Sequence, residues 1–128
     1  MTRIGLFIFL LFVACPSVAM PICGQAKRIT CVVDGDTFWF GGVKYRLHGV
    51  DTPETDEKNK QGRELARKAT IALRDALSGH QLYFLPMGKD RFGRSLVRVW
   101  SDGQEIGPML INNRLAREWP DGERWWRK

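Results

Sequence analysis

Between residues 28 and 50 the chain alternates short apolar runs with turn residues, and three strands are predicted there. Residues 28–33 are rich in β-branched side chains, and Asp34-Gly35-Asp36 supplies turn chemistry. Thr37-Phe38-Trp39-Phe40 follows, Gly41-Gly42 makes a hairpin turn, and residues 43–50 return. In that third strand Val43, Tyr45, Leu47 and Gly49 alternate with Lys44, Arg46, His48 and Val50, so Lys44, Arg46 and His48 share one face.

Asp51-Thr52-Pro53-Glu54 ends the strand, and residues 55–61 (TDEKNKQ) read as a polar, mobile-looking loop. A helix is predicted over residues 63–77, with Leu65, Ala69, Ala72, Leu73, Ala76 and Leu77 forming its apolar stripe. Gly79 stands where a glycine ends a helix. Two further strands, residues 81–85 and 95–100, are separated by the turn-rich stretch 86–93, and Asp102-Gly103 turns the chain again. A short helix over 108–113 precedes a tail that mixes Trp119, Trp125 and Trp126 with Arg117, Arg124, Arg127 and Lys128. This order predicts an α+β, mainly β protein: a five-stranded, partly open OB-type barrel with Greek-key connections and two or three helices. Such a fold hosts many functions, so function must come from particular residues.

The N-terminus follows a different pattern. A positive start at Arg3 leads into the apolar run of residues 4–14, and Ser17-Val18-Ala19 provides small residues for cleavage. The run is shorter than the ~20 residues a membrane-spanning helix needs and has the size of a removable secretory signal. Residues 1–19 are therefore expected to be removed, leaving 20–128 as a secreted or periplasmic single domain. A second route is lipidation, since Phe12-Val13-Ala14-Cys15 resembles a lipobox, although Phe12 and Pro16 fit it poorly.

Of the 3 cysteines, Cys23 and Cys31 remain after cleavage. An even count in an exported protein favours a disulfide. A zinc pair would need partners, and His48 and His80 stand at no ligand spacing to either cysteine. The formal charge of +6 falls by only one with the leader and suits a polyanionic partner such as nucleic acid.

Candidate chemistry flanks the second and third strands. Pairing about Gly41-Gly42 would bring Asp36 and Asp51 to one end of the hairpin. Two carboxylates ~5 Å apart repel by about 3 kcal/mol at an effective dielectric of 20, so they need a proton or a cation. A hard divalent ion with oxygen ligands answers this, and calcium is the abundant choice outside the cell. An EF-hand loop is excluded because Phe38 occupies the fifth position counted from Asp34. The plainer reading of Asp34-Gly35-Asp36 is a turn and nothing more. Arg46 leads toward Asp51, and Arg94 follows Gly93 at the mouth of the next hairpin; guanidinium groups hold phosphate oxygens bidentately. A metal, a carboxylate able to take a proton from water and two arginines are the parts needed for phosphodiester hydrolysis.

Val33-Asp34-Gly35-Asp36-Thr37, Tyr45-Arg46-Leu47 with Val50-Asp51-Thr52-Pro53-Glu54, and Asp90-Arg91-Phe92-Gly93-Arg94 resemble the three signatures of the thermonuclease family, whose best-known member is staphylococcal nuclease. Gly62-Arg63-Glu64 and Leu115-Ala116 extend the likeness, which runs from about residue 28 to 116. The resemblance implies a calcium-dependent endonuclease for DNA and RNA that leaves 3′-phosphates, working as a monomer without a stable protein partner. Carried over, Asp36 and Asp51 would bind calcium through their carboxylates and Thr52 through its carbonyl. Arg46 and Arg94 would hold the scissile phosphate, and Glu54 would orient or deprotonate the attacking water. Phe92 stands where the best-known member has a tyrosine, so a phosphate hydrogen bond is lost there, though Phe92 can still stack on a base. The loop 55–61 is shorter than in that member, and the tail 117–128 has no aligned counterpart; its tryptophans are expected to pack against the barrel, with a nucleic-acid platform as the alternative. Two other readings compete: a non-catalytic OB-fold nucleic-acid-binding protein, and a secreted calcium-stabilised interaction domain.

Overall fold

A computed structural model describes residues 19–25 and 27–120. The apolar leader, Cys15 and the tail residues Arg124, Trp125, Trp126, Arg127 and Lys128 lie outside the described residues. The protein is α+β and mainly β. Strands β1 (Cys31–Asp34), β2 (Thr37–Phe40), β3 (Val43–Leu47), β4 (Val50–Asp51), β5 (Leu82–Lys89), β6 (Ser95–Ser101), β7 (Gln104–Glu105) and β8 (Arg117–Glu118) accompany helices α1 (Lys60–Leu77) and α2 (Ile106–Asn112). The main sheet runs β1-β2-β3-β6-β5, with β7 paired to β6, and β4 pairs separately with β8. The β3–β6 contact is parallel while the others in that path are antiparallel, so the chain crosses over through α1 as an OB-type topology requires.

The hairpin β2–β3 forms as predicted, with Thr37 opposite Arg46 and Phe38 opposite Tyr45. Gly41 and Gly42 both hold positive φ, 57° and 82°, which a two-residue turn matched to strand twist demands. Two of the boundaries that differ from expectation lie on the strands flanking this hairpin. The first strand starts at Cys31, because residues 29 and 30 bond instead to the hairpin turn: Gly42 N donates to Ile29 O and Gly41 N to Thr30 Oγ1. The third strand ends at Leu47, because Gly49 turns with φ 79° and sends Val50 and Asp51 to β8.

Helix α1 begins earlier than its pattern predicts, since the Asn59 side chain caps it by accepting from Gly62 N at 3.2 Å. This shortens the polar loop, which is also tied down. Glu57 is buried, its amide donates to Glu54 O at 3.1 Å, and Arg63 Nη1 donates to Glu57 O at 3.0 Å. The buried stripe of α1 is Ala66, Ala69, Thr70, Leu73 and Leu77, one position on from Leu65 at its N-terminal end. Gly79 ends the helix with φ 66°, as expected. Strand β5 runs through Pro86, which a strand tolerates at a sheet edge where its missing N–H disrupts no ladder.

The core joins Val32, Phe38, Leu47, Val50, Leu73, Leu77, Val97, Val99, Ile106 and Leu110 from strands and both helices. Phe38 is its aromatic centre, 5.4 Å from the Tyr45 ring and 5.9 Å from Phe84; truncating such a residue costs about 3–5 kcal/mol. Cys23 and Cys31 form a disulfide with Cα atoms 5.0 Å apart. Beside it Cys23 N donates to Val32 O and Val32 N to Pro21 O, so the N-terminal strap lies along β1 and delivers Met20 into the core.

Candidate active site

Asp36 follows the tight turn between β1 and β2 and is buried, with each carboxylate oxygen accepting a hydrogen bond. Oδ1 accepts from Thr37 Oγ1 at 2.9 Å and Oδ2 from the Thr52 amide at 3.1 Å. Arg46 Nη2 stands 3.6 Å from Oδ2. The hairpin register explains this, because Arg46 sits opposite Thr37, one residue from Asp36. Asp51 reaches the same corner by the Gly49 turn rather than by strand pairing, and on β4 it lies opposite Arg117. Arg46 Nη1 donates to Leu47 O at 3.0 Å and Val50 O at 2.9 Å, the two carbonyls that bracket this turn. The guanidinium therefore staples the bend that carries Asp51 and Thr52 past Asp36; Nη2 is ion-paired with Asp36, and Nε has no partner among the described residues.

Gly35 is where the acidic turn, the helix and Thr52 meet. A Cβ there would lie 2.6 Å from Ala69 Cβ and 2.9 Å from Thr52 Oγ1. Ala69 is rigid on α1, so the turn itself would have to move. Overpacking of this kind costs about 1–3 kcal/mol. Gly35→Ala is expected to lower the urea midpoint accordingly and to reduce any activity that depends on Asp36; an unchanged midpoint would show that the turn adapts freely. Next to it, burial and the neighbouring Asp36 carboxylate push the Asp34 carboxyl up to about 8.

The second half of the site is open. Lys44, Glu54, Phe92, Gly93 and Arg94 line a groove of about 440 Å³. The parallel register, Tyr45 beside Ser95, brings Lys44 on β3 close to the level of Arg94, the residue just before β6. Arg94 is aimed by Asp90: Nε donates to Asp90 Oδ2 at 2.7 Å, while Asp90 Oδ1 accepts from the amides of Phe92 and Arg94, both at 2.9 Å. Against the upward push of desolvation, the hydrogen bonds from Arg94 and Phe92 and the Arg94 charge hold the Asp90 carboxyl below its usual range. Both Arg94 terminal nitrogens remain unbonded among the described residues; the guanidinium lies 5.5 Å from the Phe92 ring centroid, and Arg94 lines the groove that also holds Glu54. Buried Pro53 links Glu54 to Thr52, joining the two halves by the chain.

The predicted residues thus converge in two groups: Asp36, Arg46 and Thr52 with Asp51 adjoining, and Glu54 with Arg94. Among the described residues, no three His, Cys, Asp or Glu side chains come together to hold a metal. A cation here would rest on two carboxylates and on main-chain oxygen. Thr52 Oγ1, packed toward Gly35, is buried with no hydrogen-bond partner among the described residues. A donor set of two carboxylates and a main-chain oxygen is the kind that a hard, oxygen-loving ion takes.

Two contributors were not among the site residues expected from the sequence. Lys44 reaches the groove, and its signal was the shared face with Arg46. Trp119 was expected to pack against the barrel, yet it is 55% exposed, with its ring centroid 5.9 Å from the Arg46 guanidinium. A larger cavity, about 480 Å³, lies between α1 and α2 and is lined by Ala72, Ala76, Ile106 and Met109 with His80 and Asp102; none of the predicted site residues borders it.

The family described as staphylococcal nuclease homologue matches residues 44–123. The thermonuclease of Staphylococcus hyicus is 31% identical over 100 residues, which cover 73% of this chain and 56% of that protein. The thermonuclease of Staphylococcus intermedius is 31% identical over 101 residues, 74% of this chain and 57% of that protein. The chain spans a little over half the length of the curated relatives it matches. The family match includes Arg46, Asp51, Thr52, Glu54 and Arg94, the residues that the two halves of the site bring together. With that match extending over more than half of its length, the chain belongs to the staphylococcal nuclease homologue family.

Proposed function

We propose that the protein is an exported, calcium-dependent endonuclease that hydrolyses the phosphodiester backbone of DNA and RNA and leaves 3′-phosphates. The observation that carries this reading is the shared groove of Glu54 and Arg94, set beside the Asp36–Arg46–Thr52 corner. Asp36, Asp51 and the Thr52 carbonyl would hold calcium, which neutralises the crowded carboxylates and polarises a phosphate oxygen. Arg94 directs its two terminal nitrogens at the phosphate, and Arg46 adds Nε. Glu54 receives a proton from the attacking water as oxygen bonds to phosphorus. The bond from phosphorus to the 5′ oxygen then breaks, and that oxygen leaves as a hydroxyl after taking up a proton. Preorganised donors of this kind act mainly as charge develops on the phosphorane.

Plasmid degradation with and without chelator tests the reading. Cleavage is expected in calcium, loss in excess chelator and recovery when calcium is restored. Undiminished cleavage in chelator would remove the metal, and binding without cleavage in calcium would return the chain to a non-catalytic module.

Export is supported at the other end of the chain. Ala19 is exposed, whereas Met20 is in the core and its backbone nitrogen donates to Ser78 Oγ at 2.7 Å. Cleavage between them would place a new α-ammonium at the C-terminal end of α1, where positive charge is favoured. Intact mass should give a chain starting at Met20 and lacking the two thiol hydrogens of Cys23 and Cys31. A chain starting at a lipid-modified Cys15 would overturn this.

A further inference from the structure

Trp119 is fixed in place but uncovered. Its amide donates to Gly49 O at 3.0 Å, directly after the β8 residues that pair with β4. The indole is nonetheless 55% exposed, an unusual position for the largest apolar side chain. Its ring centroid lies 5.9 Å from the Arg46 guanidinium carbon, within the ~6 Å reach of a cation–π contact. Arg46 does not need this contact for support, since Leu47 O, Val50 O and Asp36 already hold it. A pinned ring with a free surface beside a phosphate-directed cation has the two chemistries that a nucleotide presents: a flat aromatic base and an anionic backbone.

We propose that Trp119 is a base-stacking residue on the Arg46 side of the candidate active site, receiving the base of a nucleotide whose phosphate meets Arg46. The inference rests on the nuclease reading of that site. Stacking is tolerant of sequence, because every base has a π face. Trp119 therefore adds affinity and registers the strand without selecting a base. It positions substrate and takes no part in proton transfer.

The test is binding rather than turnover. Affinity for a fluorescein-labelled single-stranded oligonucleotide is measured by anisotropy in calcium-free buffer, for wild type, Trp119→Ala, Trp119→Leu and Trp119→Phe. A second oligonucleotide of equal length carries abasic linkers throughout and so offers the backbone alone. Trp119→Ala and Trp119→Leu should each weaken binding of the intact strand by about five- to a hundredfold. Trp119→Phe should recover most of that, and the abasic strand should bind all four proteins alike. Equal losses on both strands, or full affinity in the Leu variant, would overturn the proposal. The Leu variant keeps an apolar side chain, so a folding defect confined to Ala does not obscure the result. A wild type that neither binds nor cuts nucleic acid would instead sink the nuclease reading itself. A wild type that binds while the variants match it sinks only the role of Trp119.

Discussion

Arg94→Ala is expected to lower single-turnover cleavage by about 10²–10³-fold, the usual loss for one transition-state donor, while the protein stays folded. The structure makes Arg94 a cleaner test than Arg46. Its one bonded nitrogen among the described residues, Nε, meets Asp90 in a partly exposed ion pair, and such pairs contribute little to stability. Asp90 would keep its bonds to the Phe92 and Arg94 amides, so the hairpin tip should persist without the guanidinium. Arg94→Lys should rescue little, because a point charge cannot present two parallel donors. The measurements are pre-steady-state cleavage in calcium and urea unfolding of the same samples. Full activity in the Lys variant would reduce Arg94 to a general electrostatic contributor. Arg46→Ala, by contrast, should lose stability together with activity, because its Nη1 donors hold the carbonyls of Leu47 and Val50 around the Gly49 turn.

The two arginines also mark how far the sequence alone could be read. Elements with local signals were legible: the Gly41-Gly42 hairpin, the α1 stripe and strand β6 all announce themselves through periodicity or turn chemistry. Strands β4 and β8 did not, since two residues carry no periodicity and their partners lie far apart in the chain. The Gly49 turn was hidden because Gly49 fits the alternation of a longer strand as well as a bend. Glu57 gave no hint of burial; one acid in a polar run is buried only because the tertiary fold closes over it. In the site, residue identity was legible from the three motifs, but residue geometry was not. Nothing local says that Arg46 shares itself between backbone carbonyls and Asp36, that Thr52 offers its amide to Asp36, or that the tail returns to set Trp119 over Arg46. Each of those depends on contacts between segments that only the folded chain brings together.

Glu54→Gln should reduce cleavage by about 10²–10⁴-fold, the range that a positioned general base contributes, with nucleic-acid binding retained or slightly tighter. The substitution keeps shape and volume and removes basicity and one negative charge. Glu54 is exposed at the groove it shares with Arg94, so the variant buries no new polar group. Its structural duty is carried by the main chain, since Glu54 O accepts from Glu57 N and thereby shapes the loop entering α1, a bond that Gln preserves. Buried Pro53 restricts the backbone just before it and helps aim the side chain. The decisive experiment pairs single-turnover cleavage with affinity for an uncleavable oligonucleotide, both in calcium. Normal binding with cleavage within about threefold of wild type, far short of the loss of a base, would remove Glu54 from the mechanism. Joint loss of binding and cleavage would assign it to the architecture of the groove. Normal binding with the full loss of rate would identify the carboxylate that takes the proton from water.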